Sequence, residues 1–299
     1  MVTAQPSESA IESGLLDREA WIEPGKVLET LIGIIGSIGQ ALDVWQVLFG
    51  DKPVSRVILQ QARMKPVALY AAHLGISHAQ AAYSLHLVQS QTGYADNAVI
   101  ENPWQGIIAP QNNTPQQRKM ALLYIAKNLP DAEACRSAEE SGNDAELGVR
   151  LGYPACCAKA FAKWSAVSKD KDFTLHGIPE VAAALPWQNN IALRHVDTRL
   201  SAHFPCSATC PSSLRVNQKY FDTIYRHNPE LAAILRTRLA STVLYHKKYG
   251  PYVLCNPVKK GSMWFIDGAQ GYGSNSFYEQ LRRQGKFKEG EDALVLCYR

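Results

Sequence analysis

Apolar residues recur at helical spacing through residues 27–49, with three glycines among them, and predict a buried helix that breaks near Gly50. The polar leader before it (residues 1–25) has weak helical character. Residues 54–72 predict a second helix, with Pro66 as a break or a fresh start, and residues 78–91 a third. Residues 94–113 read as an irregular connection. Thr114-Pro115-Gln116-Gln117 then carries the signature of a helix start, with the helix running to about Asn128. Residues 144–151 give a further helical turn or two, ended by Gly152, and residues 211–239 are helical with a joint at Asn228-Pro229.

After residue 240 the pattern changes. Residues 241–258 are rich in Val, Tyr and Leu around Gly250-Pro251 and predict a hairpin; residues 263–266 and 293–298 predict short strands. Long helical stretches followed by strands, without βαβ alternation, predict an α+β fold: a mostly helical core with a small β-rich C-terminal part. The expected organisation is a helical N-terminal region (1–150), a cysteine-motif helical region (151–240) and the β-rich part (241–299), in one unit. Ala71, Leu74, Gly75, Ile76 and Ser77 resemble the turn of a helix-turn-helix. The helix that would read DNA, residues 78–91, has no Lys or Arg, so two core helices joined at a glycine is the better reading.

With 46% hydrophobic and 19% charged residues in 299, the chain has the composition of a folded protein. The net charge of +4 permits an anionic partner without requiring one. The basic excess falls late, in Arg236-Thr237-Arg238, His246-Lys247-Lys248, Lys259-Lys260 and Arg282-Arg283. A solvated surface explains it; a nucleic-acid surface is the alternative. No basic, then apolar, leader opens the chain, and the longest apolar stretch (31–39) is too short to span a bilayer. A soluble, cytoplasmic protein is expected, with no membrane partner.

In a reducing compartment cysteines serve metal binding, catalysis or core packing more often than disulfides. Four of the seven lie in two short motifs, Gly152-Tyr153-Pro154-Ala155-Cys156-Cys157 and His203-Phe204-Pro205-Cys206-Ser207-Ala208-Thr209-Cys210. Gly152 ends one helix and Pro154 suits the start of the next, which puts Cys156 and Cys157 in the first turn or just beyond. Pro211 likewise puts Cys210 at a helix cap, with Cys206 in the loop before it. Helix starts offer free N–H groups and a positive dipole end, both of which favour thiolate. Cys156, Cys157, Cys206 and Cys210 are therefore the candidate ligands of one metal centre.

Adjacent cysteines diverge on a helix, which suits an iron–sulfur cluster such as 4Fe–4S better than compact zinc, whose usual pairs are two to four residues apart. Zinc, a three-cysteine cluster with an open iron, and a metal-free redox dithiol remain alternatives. His203 is a candidate fourth-site ligand or catalytic proton donor; His195 and Asp197 are weaker candidates. Asn189-Asn190 would cap a helix near Ile191. Cys135, Cys255 and Cys297 have no partners in the pattern. Residues 268–273 lack the Lys and Ser/Thr of a phosphate loop, and strained glycines in a turn explain them.

The two motifs, with Phe161 after the first, resemble a family known as a domain of unknown function, which carries Gly-Tyr-Pro-x-Cys-Cys and then His-x-Pro-Cys-x-x-x-Cys. The resemblance covers roughly residues 151–225. It implies that the four cysteines and His203 belong together and brings no activity. An iron–sulfur enzyme acting on a small molecule is the first expectation. A zinc-stabilised RNA- or protein-binding module and a thiol redox protein are the others.

Overall fold

The computed structural model describes residues 23–60, 67, 70, 77–83, 120–167, 173–178, 184–246, 249–271, 276–290 and 292–299. The fold is α+β. Its first two helices, α1 (Pro24–Ile35) and α2 (Ile38–Phe49), divide the long apolar stretch of residues 27–49 at Gly36. Gly36 takes the left-handed conformation (φ 76°) that ends α1, and the Ser37 side chain accepts from the Gln40 N–H to begin α2.

The next three elements are strands: β1 (Val54–Gln60), β2 (Ser77–Tyr83) and β3 (Met120–Ala126). They correct the helices expected over 54–72, 78–91 and 114–128 at residues 54–60, 78–83 and 120–126; Val67 and Tyr70, after the fresh start expected at Pro66, are helical. They also remove the helix-turn-helix reading, since Ser77 to Tyr83 is extended; the remainder of that motif, the 94–113 connection and the Thr114 helix start lie outside the described residues. β3 runs antiparallel between β1 and β2, with Val54 and Ser77 both opposite Ala126. Its apolar run is continuous because both faces are covered. Leu123 and Ile125 pack with α1 and α2, whereas Leu122, Tyr124 and Ala126 pack against α3 (Leu129–Glu140) and α4 (Asp144–Arg150). A fully buried Leu or Ile contributes about 1.5–3 kcal/mol, so this strand is held by burial against its local helix propensity.

Helix α5 (Ala155–Val167) follows, then the single 3₁₀ turns 173–175 and 187–189, and the longer 3₁₀ segment Ala192–Val196. Helices α6 (Pro211–His227) and α7 (Pro229–Leu239) are jointed at Asn228, whose side chain accepts from the Leu231 N–H. The β-rich end carries two sheets. One has the order β10-β4-β5-β8, from β4 (Thr242–His246), β5 (Gly250–Cys255), β8 (Gly268–Gly271) and β10 (Ala293–Cys297). The other has the order β6-β7-β9, from β6 (Val258–Lys260), β7 (Met263–Phe265) and β9 (Lys286–Lys288). Helix α8 (Ser276–Gln284) packs on this end through Leu281. Gly268–Gly271 is thus a strand and not the turn expected there; Tyr272 and Gly273 lie outside the described residues.

Two long-range ties position the cysteine region. Asp197 takes the left-handed conformation (φ 57°) and caps α2, accepting from Ser37 Oγ at 2.7 Å and from the Gly39 N–H at 3.0 Å. A Cβ on Gly39 would lie 2.9 Å from that carboxylate, so glycine leaves room for the cap. Asp197 is a structural anchor. The second tie joins residues 185–187 to the last residues of the chain: Leu185 N–H donates to Cys297 O and Arg299 N–H to Leu185 O, both at 2.8 Å.

Candidate metal centre

The first motif begins where α4 ends. Gly152 (φ 82°) donates to Val149 O and Tyr153 N–H to Gly148 O, the paired bonds of a Schellman turn. A Cβ on Gly152 would stand 2.6 Å from Pro53 Cδ, and one on Gly148 would stand 2.8 Å from Ala158 Cβ. Both glycines are therefore needed for α5 to return close against α4. Pro154 directly precedes α5, and Cys156 and Cys157 occupy its first turn. In the second motif Cys210 is the cap of α6 and Pro211 its first residue. The loop between Pro205 and Ala208 is clamped from two sides. Ala208 N–H donates to Gly177 O at 2.7 Å, and Asn189 Nδ2 donates to Ala208 O at 2.9 Å.

These elements bring Cys156, Cys157, Cys206 and Cys210 together, with all four Sγ atoms within 4.8 Å of one another. Cys156 and Cys157 each lie 3.7 Å from Cys210 and 3.9 Å from one another. Cys157 and Cys210 are buried, Cys206 is half-buried and Cys156 is exposed. Cys206 N–H points at Cys157 Sγ (3.4 Å), so backbone donors support the sulfurs as well.

Without a metal the thiols compete for charge. Burial raises Cys157 and pushes Cys206 up to about 11. Burial opposes ionisation of Cys210 too, but the Ser213 N–H at the start of α6 and the three neighbouring thiols outweigh it and lower its pKa. The set can hold a metal ion.

His203 is not among these four. It is buried, and both ring nitrogens are engaged: Nδ1 with Ser201 Oγ at 2.8 Å and Nε2 with Ser213 Oγ at 2.7 Å. Ser201 Oγ also reaches Asn217 Oδ1, and Ser213 Oγ reaches Asn189 Oδ1, each at 2.7 Å. Burial, and then the nearby Lys52 cation, lower the His203 pKa to about 3. This candidate ligand or proton donor is wired into a hydrogen-bonded network with Ser201 and Ser213. Asn189 and Asn190 also depart from expectation. Neither caps the 3₁₀ segment; Asn189 serves the second motif, and Asn190 Nδ2 donates to Leu239 O at 2.8 Å. The His195 side chain lies outside the described residues.

Reading the sequence missed a buried ionic group under the motifs. Lys52 Nζ lies 3.3 Å from Asp43 Oδ1, with both side chains buried, and Arg199 approaches the other Asp43 oxygen at 3.9 Å. The Tyr153 and Tyr220 rings cover the ammonium at 4.8 and 5.6 Å, and the Tyr153 ring packs tilted against His203 at 5.2 Å. Of the non-cysteine motif residues, Tyr153 thus covers Lys52, and His203 packs against Tyr153. One signal for this was legible: Asp43 is a charge inside an apolar helix, which demands a buried partner. Ser213, Asn217 and Tyr220, at helical intervals along α6, were a second. Cys135 is wholly buried in the cluster under β3, and burial pushes its thiol up to about 11. Cys255 and Cys297 are half-buried on the β-rich end.

Among the described residues no helix is long and apolar enough to cross a membrane. No curated protein and no solved structure matches the chain. A family model does: residues 135–237, a span wider than the two motifs and containing both, match the one described as Protein of unknown function (DUF483), and this part of the chain is similar to that family.

Proposed function

We propose that the four cysteines hold one tetrahedral metal ion, zinc in the first place, and that this centre braces the starts of α5 and α6 in a metal-stabilised binding module. One observation carries the reading, the spacing of the sulfurs. Thiolates about 2.3 Å from a central ion stand about 3.8 Å apart at the corners of a tetrahedron. The sulfurs of Cys156, Cys157 and Cys210 lie 3.7–3.9 Å apart here. A four-iron cube is larger and holds its cysteine sulfurs roughly 6 Å apart, beyond the 4.8 Å limit of this set. The vicinal pair also fits one ion, because Cys156 and Cys157 sit at the mouth of α5 and converge on Cys210. Four protein thiolates leave no position for substrate, which is the pattern of structural zinc.

The second reading is an iron–sulfur or open-site enzyme acting on a small molecule. One observation favours it: Cys156 is exposed, so an incoming ligand could replace that sulfur. The test is to purify the chain anaerobically and count zinc, iron and acid-labile sulfide. One zinc per chain, no sulfide and a colourless solution are expected, with loss of the metal in Cys157→Ser and Cys210→Ser and its retention in Cys255→Ser. Iron with stoichiometric sulfide would overturn the single-ion reading in favour of the cluster. Full metal in both motif variants would overturn the centre itself.

A further inference from the structure

We infer that the outer face of the β6-β7-β9 sheet binds single-stranded nucleic acid. The inference stands apart from the metal centre, since it uses none of the residues placed there. Strand alternation sets the two faces of this sheet. On the inner face Trp264 pairs across with Phe287, both buried in the local core, and Lys259 lies over the Trp264 ring at 5.4 Å. The outer face carries two cross-strand rows. One row is Val258, Phe265 and Lys286; the other is Lys260, Met263 and Lys288.

This outer face combines what a sequence-tolerant single-strand site needs. Phe265 is 39% exposed and Val258 51%, an apolar pair directly opposite each other in the register. A solvent-facing aromatic on a sheet offers a flat surface on which a base stacks. Three exposed lysines surround it: Lys286 beside Phe265 in the same row, Lys260 with Nζ 5.4 Å from the Phe265 ring centre, and Lys288 in the second row. Among the described residues none of these three has a carboxylate partner. The nearby acid is occupied elsewhere: Glu289 takes Lys259 at 2.8 Å and the Val295 N–H at 3.1 Å. Among the described residues the positive charge on this face is therefore uncompensated, and it calls for a polyanion.

The size selects the kind of polyanion. Three strands of three residues make a platform on the order of 10 Å on each side. That accommodates one unstacked base and two or three phosphates of a flexible strand. In a duplex the base faces are already stacked on one another, so Phe265 has nothing to grip. An acidic membrane would use the lysines without needing an exposed ring among them.

The test uses the full chain and a labelled 12-nucleotide oligouridylate followed by fluorescence anisotropy. Three released counterions give a salt slope of about −2, which weakens binding roughly 20-fold between about 50 and 200 mM salt. Phe265→Ala should weaken binding about tenfold with the slope retained. The combined Lys260→Gln, Lys286→Gln, Lys288→Gln variant should flatten the slope. All four positions are at least partly exposed, so both variants should melt like the parent and keep its metal content. Equal or tighter binding to the matching duplex would overturn the inference, as would binding only to phosphatidylserine vesicles. Wild-type affinity in either variant would overturn it as well.

Discussion

His203 offers a test in which two physical forces predict opposite signs. Each serine that touches the ring has one hydroxyl proton, and each also contacts an asparagine oxygen. A neutral ring supplies one proton, so one of the four contacts lacks a donor; an imidazolium would supply all four. Hydrogen-bond counting therefore favours the charged ring. Burial and the Lys52 cation oppose it and hold the pKa near 3. We expect burial to win, because desolving a charge next to another cation costs more than one neutral hydrogen bond returns.

The unfolded ring titrates near 6.5. A folded pKa below that value means stability is full above pH 6.5 and is lost as pH falls toward 3. Between pH 7 and pH 5 the loss is about 2 kcal/mol. Urea unfolding at both pH values, for the parent and for His203→Gln, isolates this contribution, since the metal centre and the other histidines are common to both. The parent should lose about 2 kcal/mol more than the variant. Equal losses, or a parent that holds up better in acid, would mean that the serines carry an imidazolium and would refute the reasoning.

Two further outcomes follow from the packing under the centre. Lys52→Met leaves Asp43 buried with only the more distant Arg199, and should cost about 3 kcal/mol in chemical unfolding. The double variant Asp43→Leu, Lys52→Met should recover most of that, and failure to recover would deny the pairing. Gly152→Ala combines a left-handed backbone with a Cβ driven against Pro53. It should cost about 2–4 kcal/mol and lower the melting temperature by several degrees; an unchanged melt would show that the α4–α5 turn is not as tight as described.

The parts legible in the sequence were those governed by local chemistry. Gly152, Pro154 and Pro211 marked the helix ends that aim the cysteines, and Asn228-Pro229 marked the α6–α7 joint. The hairpin of β4 and β5 was legible in its β-branched and aromatic residues. What escaped was governed by distant contacts. Met120–Ala126 is a strand because both its faces are covered, and a short apolar run buried on two sides has no periodicity to distinguish it from a helix. Val54, Val57 and Ile58 carried a β-branched signal in β1 that their near-helical spacing masked. The Lys52–Asp43 pair and the Asp197 cap join residues whose adjacency no local pattern encodes. At the centre itself the motif spacing located the four sulfurs but not their separation, which is what bears on the metal.

The bond between residues 185–187 and the last residues of the chain has a consequence for how this protein is made. Asn189, which clamps the second cysteine motif, sits on the segment that residues 297–299 hold in place. Those residues leave the ribosome after all four cysteines have been translated. At about 5–20 residues per second, the interval from Cys210 to Arg299 lasts roughly 5–20 s. During that time the thiols are on a nascent chain whose clamp is incomplete. A metal taken up at this centre would then be captured late in biogenesis, in competition with oxidation of the four cysteines.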